Sequence, residues 1–222
     1  MAIRPVFIPL GAGRSFVEEF PVEFPWHNGM AASQKRKNVD ALHQAYERKH
    51  GGQKLLEISS YSRNAAGVSL SAFNLSLELG GVKGTVETFF QGSKVFFTGG
   101  PYQDLYLKTS LEAKKDPRLK EGGRLKGFLL FKENWPLEPA TLFYDWLYLN
   151  ALAQNEALSE ILLGFEGFTD IAFNPKKSLN CQARSAALFL SLYYRGQLKT
   201  ALSGKEEYLK ILEVQSQKTF FP

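Results

Sequence analysis

One cysteine, Cys181, stands in 222 residues. It excludes an intrachain disulfide framework and leaves too little thiol for a cysteine-rich metal centre. Histidine is almost as scarce, and His27, His43 and His50 lie scattered, so neither a zinc-like spacing nor a Ser-His-Asp triad is expected. No apolar run approaches the length needed to span a membrane. The opening Met1-Ala2-Ile3-Arg4-Pro5-Val6-Phe7-Ile8-Pro9 has two prolines and too short an apolar stretch for a signal peptide, which makes the cytoplasm the expected compartment. A Walker loop and a nucleophile elbow are both missing. Gly11-Ala12-Gly13-Arg14-Ser15 is too short and wrongly placed for a phosphate-cradling loop and reads as a turn. There is no internal repeat and no low-complexity tract.

What is present suits a packed globular protein. Hydrophobic residues make up 44% of the chain, enough for one sizeable domain with a full core, and no linker is long or polar enough to divide it. The expectation is a single α+β, mostly helical domain over residues 1–222 with short N-terminal strands. The formal charge of +5 and a pI near 9.2 are compatible with phosphate-rich partners, and equally with simple solubility.

Residues 5–26 alternate apolar and polar positions between prolines, which predicts short edge strands. Residues 33–50 carry Val39, Leu42, His43 and Tyr46 at helical spacing, with Ser33 as the expected cap and Gly51-Gly52 as the stop. Lys35, Arg36 and Lys37 then fall in the first turn, the unfavourable end of the helix dipole for cations; a bound anion or plain solvation would relieve this. His43 is expected to pack beside Tyr46. Residues 54–60 and 69–79 read as strands, with 80–84 as the turn into the next helix. Between Lys108 and Lys126 stand Lys114, Lys115, Arg118, Lys120 and Arg124 against Glu112, Asp116 and Glu121, a face that can track a phosphate backbone or simply lie in water. Residues 127–131 predict a strand. A long amphipathic helix is expected from Pro136, recapped at Asn155 and stopped by Gly164. Asn180 is the expected cap of a small-residue helix over 181–192.

Residues 86–96 draw most attention. Read as one helix capped by Thr85, they align Glu87, Gln91 and Lys94 at i, i+4 and i+7, with Phe89, Phe90, Val95 and Phe96 around that stripe. A carboxylate on a buried helix is costly unless paired or put to use. The alternatives are a capping carboxylate bridged to Lys94 and a functional acid. Asp170 is the other carboxylate in apolar company, and Trp135 follows Asn134 as an isolated aromatic. Carboxylates stabilise oxocarbenium-like states and activate water, and an indole stacks on a flat base, so this set fits glycosidic-bond chemistry.

Ser71-Ala72-Phe73, followed by Glu87-Thr88-Phe89-Phe90-Gln91-Gly92-Ser93-Lys94, resembles the Ser-Asn-Phe and Glu-His-Tyr-Tyr-Gln-Ala-x-Lys signature of the NADAR (YbiA-like) superfamily. Asn134-Trp135, the helix with Asn155, Phe168-Thr169-Asp170 and Asn180 with Ala183 follow in the family's order over residues 55–195. Ala72, Thr88 and Ala183 stand where that family has Asn, His and Gly. Residues 1–54, with Arg4-Pro5-Val6-Phe7-Ile8-Pro9 and Ser33-Gln34-Lys35, look closer to the branch of NADAR antitoxins paired with DarT-type DNA ADP-ribosyltransferase toxins, and are expected to form a branch-specific segment packed on the domain.

The resemblance implies an enzyme without cofactor or metal. It would hydrolyse the bond between ADP-ribose and the exocyclic amine of guanine in DNA, release ADP-ribose and so reverse the toxin's modification. It implies Glu87 as the group that activates water or stabilises the ribosyl cation, and Asp170 as the group that orients the ribose or shares acid–base work. Lys35 is a separate catalytic candidate, as an amine able to form a Schiff base with the ring-opened ribose. Ser71, Gln91, Trp135 and Asn180 are expected to bind substrate, Lys94 and Arg184 to meet the diphosphate, and Phe73 and Phe90 to stack on a base or serve the core. The rival readings are an N-glycosidase for small N-ribosyl metabolites and a non-catalytic module binding ADP-ribose or nucleic acid.

Overall fold

The computed structural model describes residues 1–176 and 178–217. In chain order the elements are β1 (Ala2–Pro9), β2 (Val17–Phe24), α1 (Ala32–His50), β3 (Leu55–Glu57), α2 (Ala65–Ser69), β4 (Ser76–Leu79), β5 (Val82–Thr85), α3 (Val86–Gly92) and β6 (Lys94–Phe96). A 3-10 turn over Gln103–Leu107 leads to α4 (Ser110–Lys115), α5 (Arg118–Glu121), β7 (Leu125–Leu130), β8 (Glu133–Trp135) and α6 (Leu142–Gln154). The chain ends with α7 (Glu156–Leu162), β9 (Gly167–Thr169), α8 (Gln182–Tyr194), α9 (Leu198–Leu202) and α10 (Lys205–Gln217). Helix outweighs strand, about 44% against 20%, so the mostly helical α+β class holds. Contacts gather into two compact units, one from Met1–Leu70 with Ala157–Pro222 and one from Ser71–Glu156.

The first unit is built on a sheet of order β2-β1-β9-β3, antiparallel except for the parallel pair β3/β9. Pro5 sits opposite Pro21 in the β1/β2 ladder. Only β2 is the edge there; β1 lies inside the sheet, and its pairing to β9 is confined to Phe7↔Phe168. Proline lacks an N–H, so a long ladder on both sides of β1 would leave acceptors unmet. Val6, Val22 and Phe24 pack against Val39, Leu42, Ala45 and Tyr46 of α1. Helix α8 packs on β1, β2 and β9, and its small Ala183, Ala186 and Ala187 are fully buried, as close approach to strands requires.

The second unit combines the β4/β5 hairpin with an antiparallel β6-β7-β8 sheet around α3 and α6. Its core is aromatic: Phe90 meets Phe128 at 5.3 Å and Tyr144 at 5.2 Å, while Trp135 lies 4.9 Å from Trp146. The C-terminal end of α6 clasps β4, with Gln154 bonded to both backbone groups of Glu78 and the Asn155 side-chain amide donating to the Ser76 carbonyl.

Several sequence expectations change. Helix α3 ends at Gly92 and residues 94–96 are a strand, because they pair with β7. A Cβ on Gly92 would lie 2.5 Å from the Tyr106 ring. Gly92→Ala is therefore expected to destabilise the protein by about 1–3 kcal/mol despite alanine's better helix propensity, as chemical denaturation will show. Residues 69–75 are not strand but the end of α2 and a turn, and the expected turn over 80–84 is the Gly80-Gly81 corner followed by strand β5. Helix α1 is preceded by Ala31 without a side-chain cap, so Ser33 lies inside it. The α6 helix begins at Leu142, not Pro136, since residues before Pro136 and Pro139 are kept out of helical conformation. Cys181, not Asn180, occupies the N-cap of α8.

Candidate functional site

The Ser71–Glu156 unit holds one group of candidates. Thr85 and Thr88 close a reciprocal capping box at the start of α3, which explains how threonine serves where the resembled signature has histidine. The Glu87 N–H donates to the Ala72 carbonyl at 3.0 Å, and Ser110 Oγ donates to the Phe73 carbonyl at 2.7 Å, so the Ser71-Ala72-Phe73 turn is fixed against the helix start. Ser71 is buried and Phe73 half-buried.

Glu87 is only 5% exposed. Gln91 Nε2 donates to its Oε1 at 2.9 Å, and Lys94 Nζ donates to Gln91 Oε1 at 2.7 Å. Lys94 thus joins the group from the first residue of β6 rather than from the helix stripe. Lys114, which the sequence does not single out, brings Nζ to 3.7 Å from Glu87 Oε1 and 4.8 Å from the centre of the Phe73 ring. Burial, reinforced by the Lys114 charge and opposed by Glu87, pushes Lys94 down to about 8. One carboxylate faces two amines, an arrangement that can polarise water at the acid while meeting an anionic group beside it.

Phe90 and Trp135 belong to the aromatic core. Lys94 Nζ lies 4.8 Å from the Phe90 ring centre, and the Trp135 indole N–H donates to Glu133 Oε2 at 3.2 Å. The same unit has an open cleft of about 410 Å³ lined by Leu79, Gly80, Leu130, Phe131, Lys132, Glu133 and Trp146. None of the sequence-derived candidates lines it, and Lys132 and Glu133 are its only charged groups, so it is a poor place for catalysis.

The other unit holds Asp170, Lys35, Asn180 and Arg184. Asp170 Oδ1 accepts the N–H groups of Ala172 at 2.9 Å and Phe173 at 3.1 Å, and the side chain is also bonded to Gln182. Burial and the neighbouring Glu57 charge push Asp170 up to about 7. Glu57 is itself 3% exposed and raised by burial. It accepts from Ser59 Oγ at 2.6 Å, Thr169 Oγ1 at 2.6 Å and the Ile171 N–H at 2.9 Å. His43 Nε2 bonds Thr169 Oγ1 at 2.8 Å, and burial lowers the ring to about 4, so it is neutral near pH 7. Tyr46 stacks on His50, with ring centres 4.5 Å apart.

Two cations lie over the Trp26 ring, Lys35 Nζ at 5.1 Å and the Arg4 guanidinium at 5.3 Å from its centre. Arg4 in turn feels the Asp170 charge. Arg4, Trp26 and Glu57 are additions to the sequence-derived set. Arg184 is paired with Glu19 at 3.5 Å. Asn180 Oδ1 is buried without a hydrogen-bond partner among the described residues. Among those residues no group of three His, Cys, Asp or Glu converges as a metal ion would need, and no helix is long and apolar enough to cross a membrane.

A family model described as "DarT1-associated NADAR antitoxin" matches residues 2–220. A search of curated proteins returns no match.

Proposed function

The chain belongs to the DarT1-associated NADAR antitoxin family, and from that premise we propose that it is a glycohydrolase removing ADP-ribose from guanine in DNA, thereby undoing the toxin's modification in the cytoplasm. The observation that carries the reading is Glu87: a nearly enclosed carboxylate, held by Gln91 and flanked by Lys94 and Lys114. Such a group activates water or stabilises the ribosyl cation as the bond to the guanine amine breaks. Lys94 and Lys114 suit the charge of the diphosphate, with Phe73 available to a base.

Asp170, protonated more readily than an ordinary carboxyl, supplies acid to the leaving amine or orients the ribose, while Asn180 Oδ1 accepts from a ribose hydroxyl. Gln91 positions Glu87 and Lys94, Ser71 and Trp135 are proposed substrate contacts, and Arg184 is a proposed phosphate ligand that would exchange Glu19 for it. Incubation with an oligonucleotide carrying ADP-ribosyl-guanine is expected to release free ADP-ribose and the unmodified strand. No release from that oligonucleotide, with turnover of a small N-ribosyl metabolite instead, would transfer the activity to the metabolite.

Lys35 offers a covalent route to the same products. It is half-buried over Trp26 and has no carboxylate within ion-pair distance among the described residues. When the ribose ring opens, C1 becomes an imine of the guanine amine; the lysine amine adds, the guanine amine leaves, and water then hydrolyses the lysine imine. Borohydride added during turnover is expected to fix ADP-ribose on Lys35, read by peptide mass spectrometry and absent in Lys35→Ala. An unlabelled chain assigns the reaction to direct hydrolysis by the Glu87-activated water.

A further inference from the structure

The β6–β7 ladder carries a feature the proposed chemistry does not use. Phe96 is turned inward, 8% exposed, while Phe97 is held out in water at 68% exposure. The segment that presents it is tightly fixed. The Phe96 N–H donates to the Gly99 carbonyl at 2.7 Å, the Phe97 N–H to the Arg124 carbonyl at 3.2 Å, and Thr98 Oγ1 to the Gly122 carbonyl at 2.7 Å. Phe96 pairs with Leu125, so Phe97 and Arg124 extend the register as direct cross-strand neighbours with side chains on the same face. Lys126 is the extra residue of the bulge in that ladder, and Lys120 stands at the end of α5 just before it.

Lys120, Arg124 and Lys126 are all exposed, and among the described residues none has a carboxylate at ion-pair distance. Arg118, by contrast, is committed to Asp104 and Asp116, so it does not belong to this group. Glu121 is the sole acid in residues 117–132. A rigidly presented ring opposite an unneutralised Arg124, on a segment with two further exposed cations, matches a strand of alternating phosphates and flat bases. An acidic protein segment would satisfy the cations but gives the ring no comparable partner.

We infer that this face is a single-stranded nucleic-acid contact, in which Phe97 stacks on a base and Lys120, Arg124 and Lys126 meet the phosphates. The inference rests on the reading of DNA as the substrate and assigns how the strand outside the modified nucleotide is held. The ring supplies sequence-tolerant stacking and the cations supply salt-dependent affinity, so the contact would lower KM for any modified strand.

The test is fluorescence anisotropy with an unmodified single-stranded oligonucleotide over a salt series, on the full chain. Phe97→Ala is expected to weaken binding about five- to 150-fold. The triple variant Lys120→Ala, Arg124→Ala, Lys126→Ala is expected to flatten the slope of log affinity against log salt by about 2, near 0.7 per cation. With modified oligonucleotide both variants should raise KM and leave kcat unchanged, and with ADP-ribosyl-guanosine both constants should match the parent's. Circular dichroism melts and the milder Arg124→Lys variant, which should retain binding, separate a lost contact from a lost fold. Variants that bind and turn over the oligonucleotide like the parent overturn the inference, as does a parent chain with no affinity for it. Loss of binding to the toxin protein with DNA affinity intact also overturns it. If instead the parent binds the strand through these residues but releases no ADP-ribose from either substrate, the inference stands and the hydrolase reading falls.

Discussion

Replacing Glu87 by Gln is expected to cut ADP-ribose release from modified DNA by about 10²–10⁴-fold while the fold survives. The substitution keeps an Oε1 acceptor for Gln91 Nε2, so the Gln91–Lys94 chain of hydrogen bonds persists. The lost attraction to Lys114 costs little, about 0–1 kcal/mol, because that lysine is 55% exposed. What disappears is the negative charge. Glu87 holds Lys94 up against burial and Lys114, so its neutralisation should also move Lys94 further below about 8. A titration of the Lys94 side chain by NMR reads that shift directly, independent of turnover. A merely structural Glu87 would leave release within a few-fold of the parent, and that result would remove it from the chemistry. In the parent, deprotonation of Lys94 above about pH 8 should raise KM, if the ammonium meets the diphosphate as proposed.

The part of this site that the sequence makes legible is the part encoded locally. Thr85 before Val86, and Gln91 four residues after Glu87, follow from helix capping and helix period, and both hold. Lys94 reaches the same group by another route. Val95 and Phe96 extend the apolar pattern of α3, so period alone carries the helix past Gly92; the pairing that makes residues 94–96 a strand is with the distant β7. Lys114 is hidden in a run of cations in which nothing local distinguishes it from its solvated neighbours. Glu57 is hidden for a different reason. Between Leu56 and Ile58 it reads as the outward position of a half-buried strand, yet β3 pairs with β9 and the carboxylate is enclosed by Ser59, Thr169 and Ile171. Two of those partners lie more than 100 residues away in sequence. Asp170 was visible as a polar residue in apolar company, but its acid strength depends on Glu57 and so could not be read from its own stretch.

That dependence makes Asp170 the second residue whose replacement should have a large and diagnostic effect. Its folded value near 7 lies above the ordinary 3.8. The folded state therefore keeps a proton that the unfolded chain has released, and the stability this contributes is full below about pH 4 and lost as pH rises through 7. Asp170→Asn keeps an oxygen for the Ala172 and Phe173 N–H groups but cannot ionise beside Glu57. Its melting temperature should thus gain on the parent's as pH rises from about 4 to about 7, the window in which the unfolded parent releases a proton that its folded state must retain. Stability improves while ADP-ribose release falls, a combination that a purely structural aspartate would not give. Glu57→Gln separates the roles further. Without the neighbouring charge, Asp170 should titrate lower, and the loss of its acid form should move the descending limb of the pH–rate profile to more acidic pH. An unmoved limb would mean that Asp170 gives no proton to the leaving amine and serves only to place the ribose.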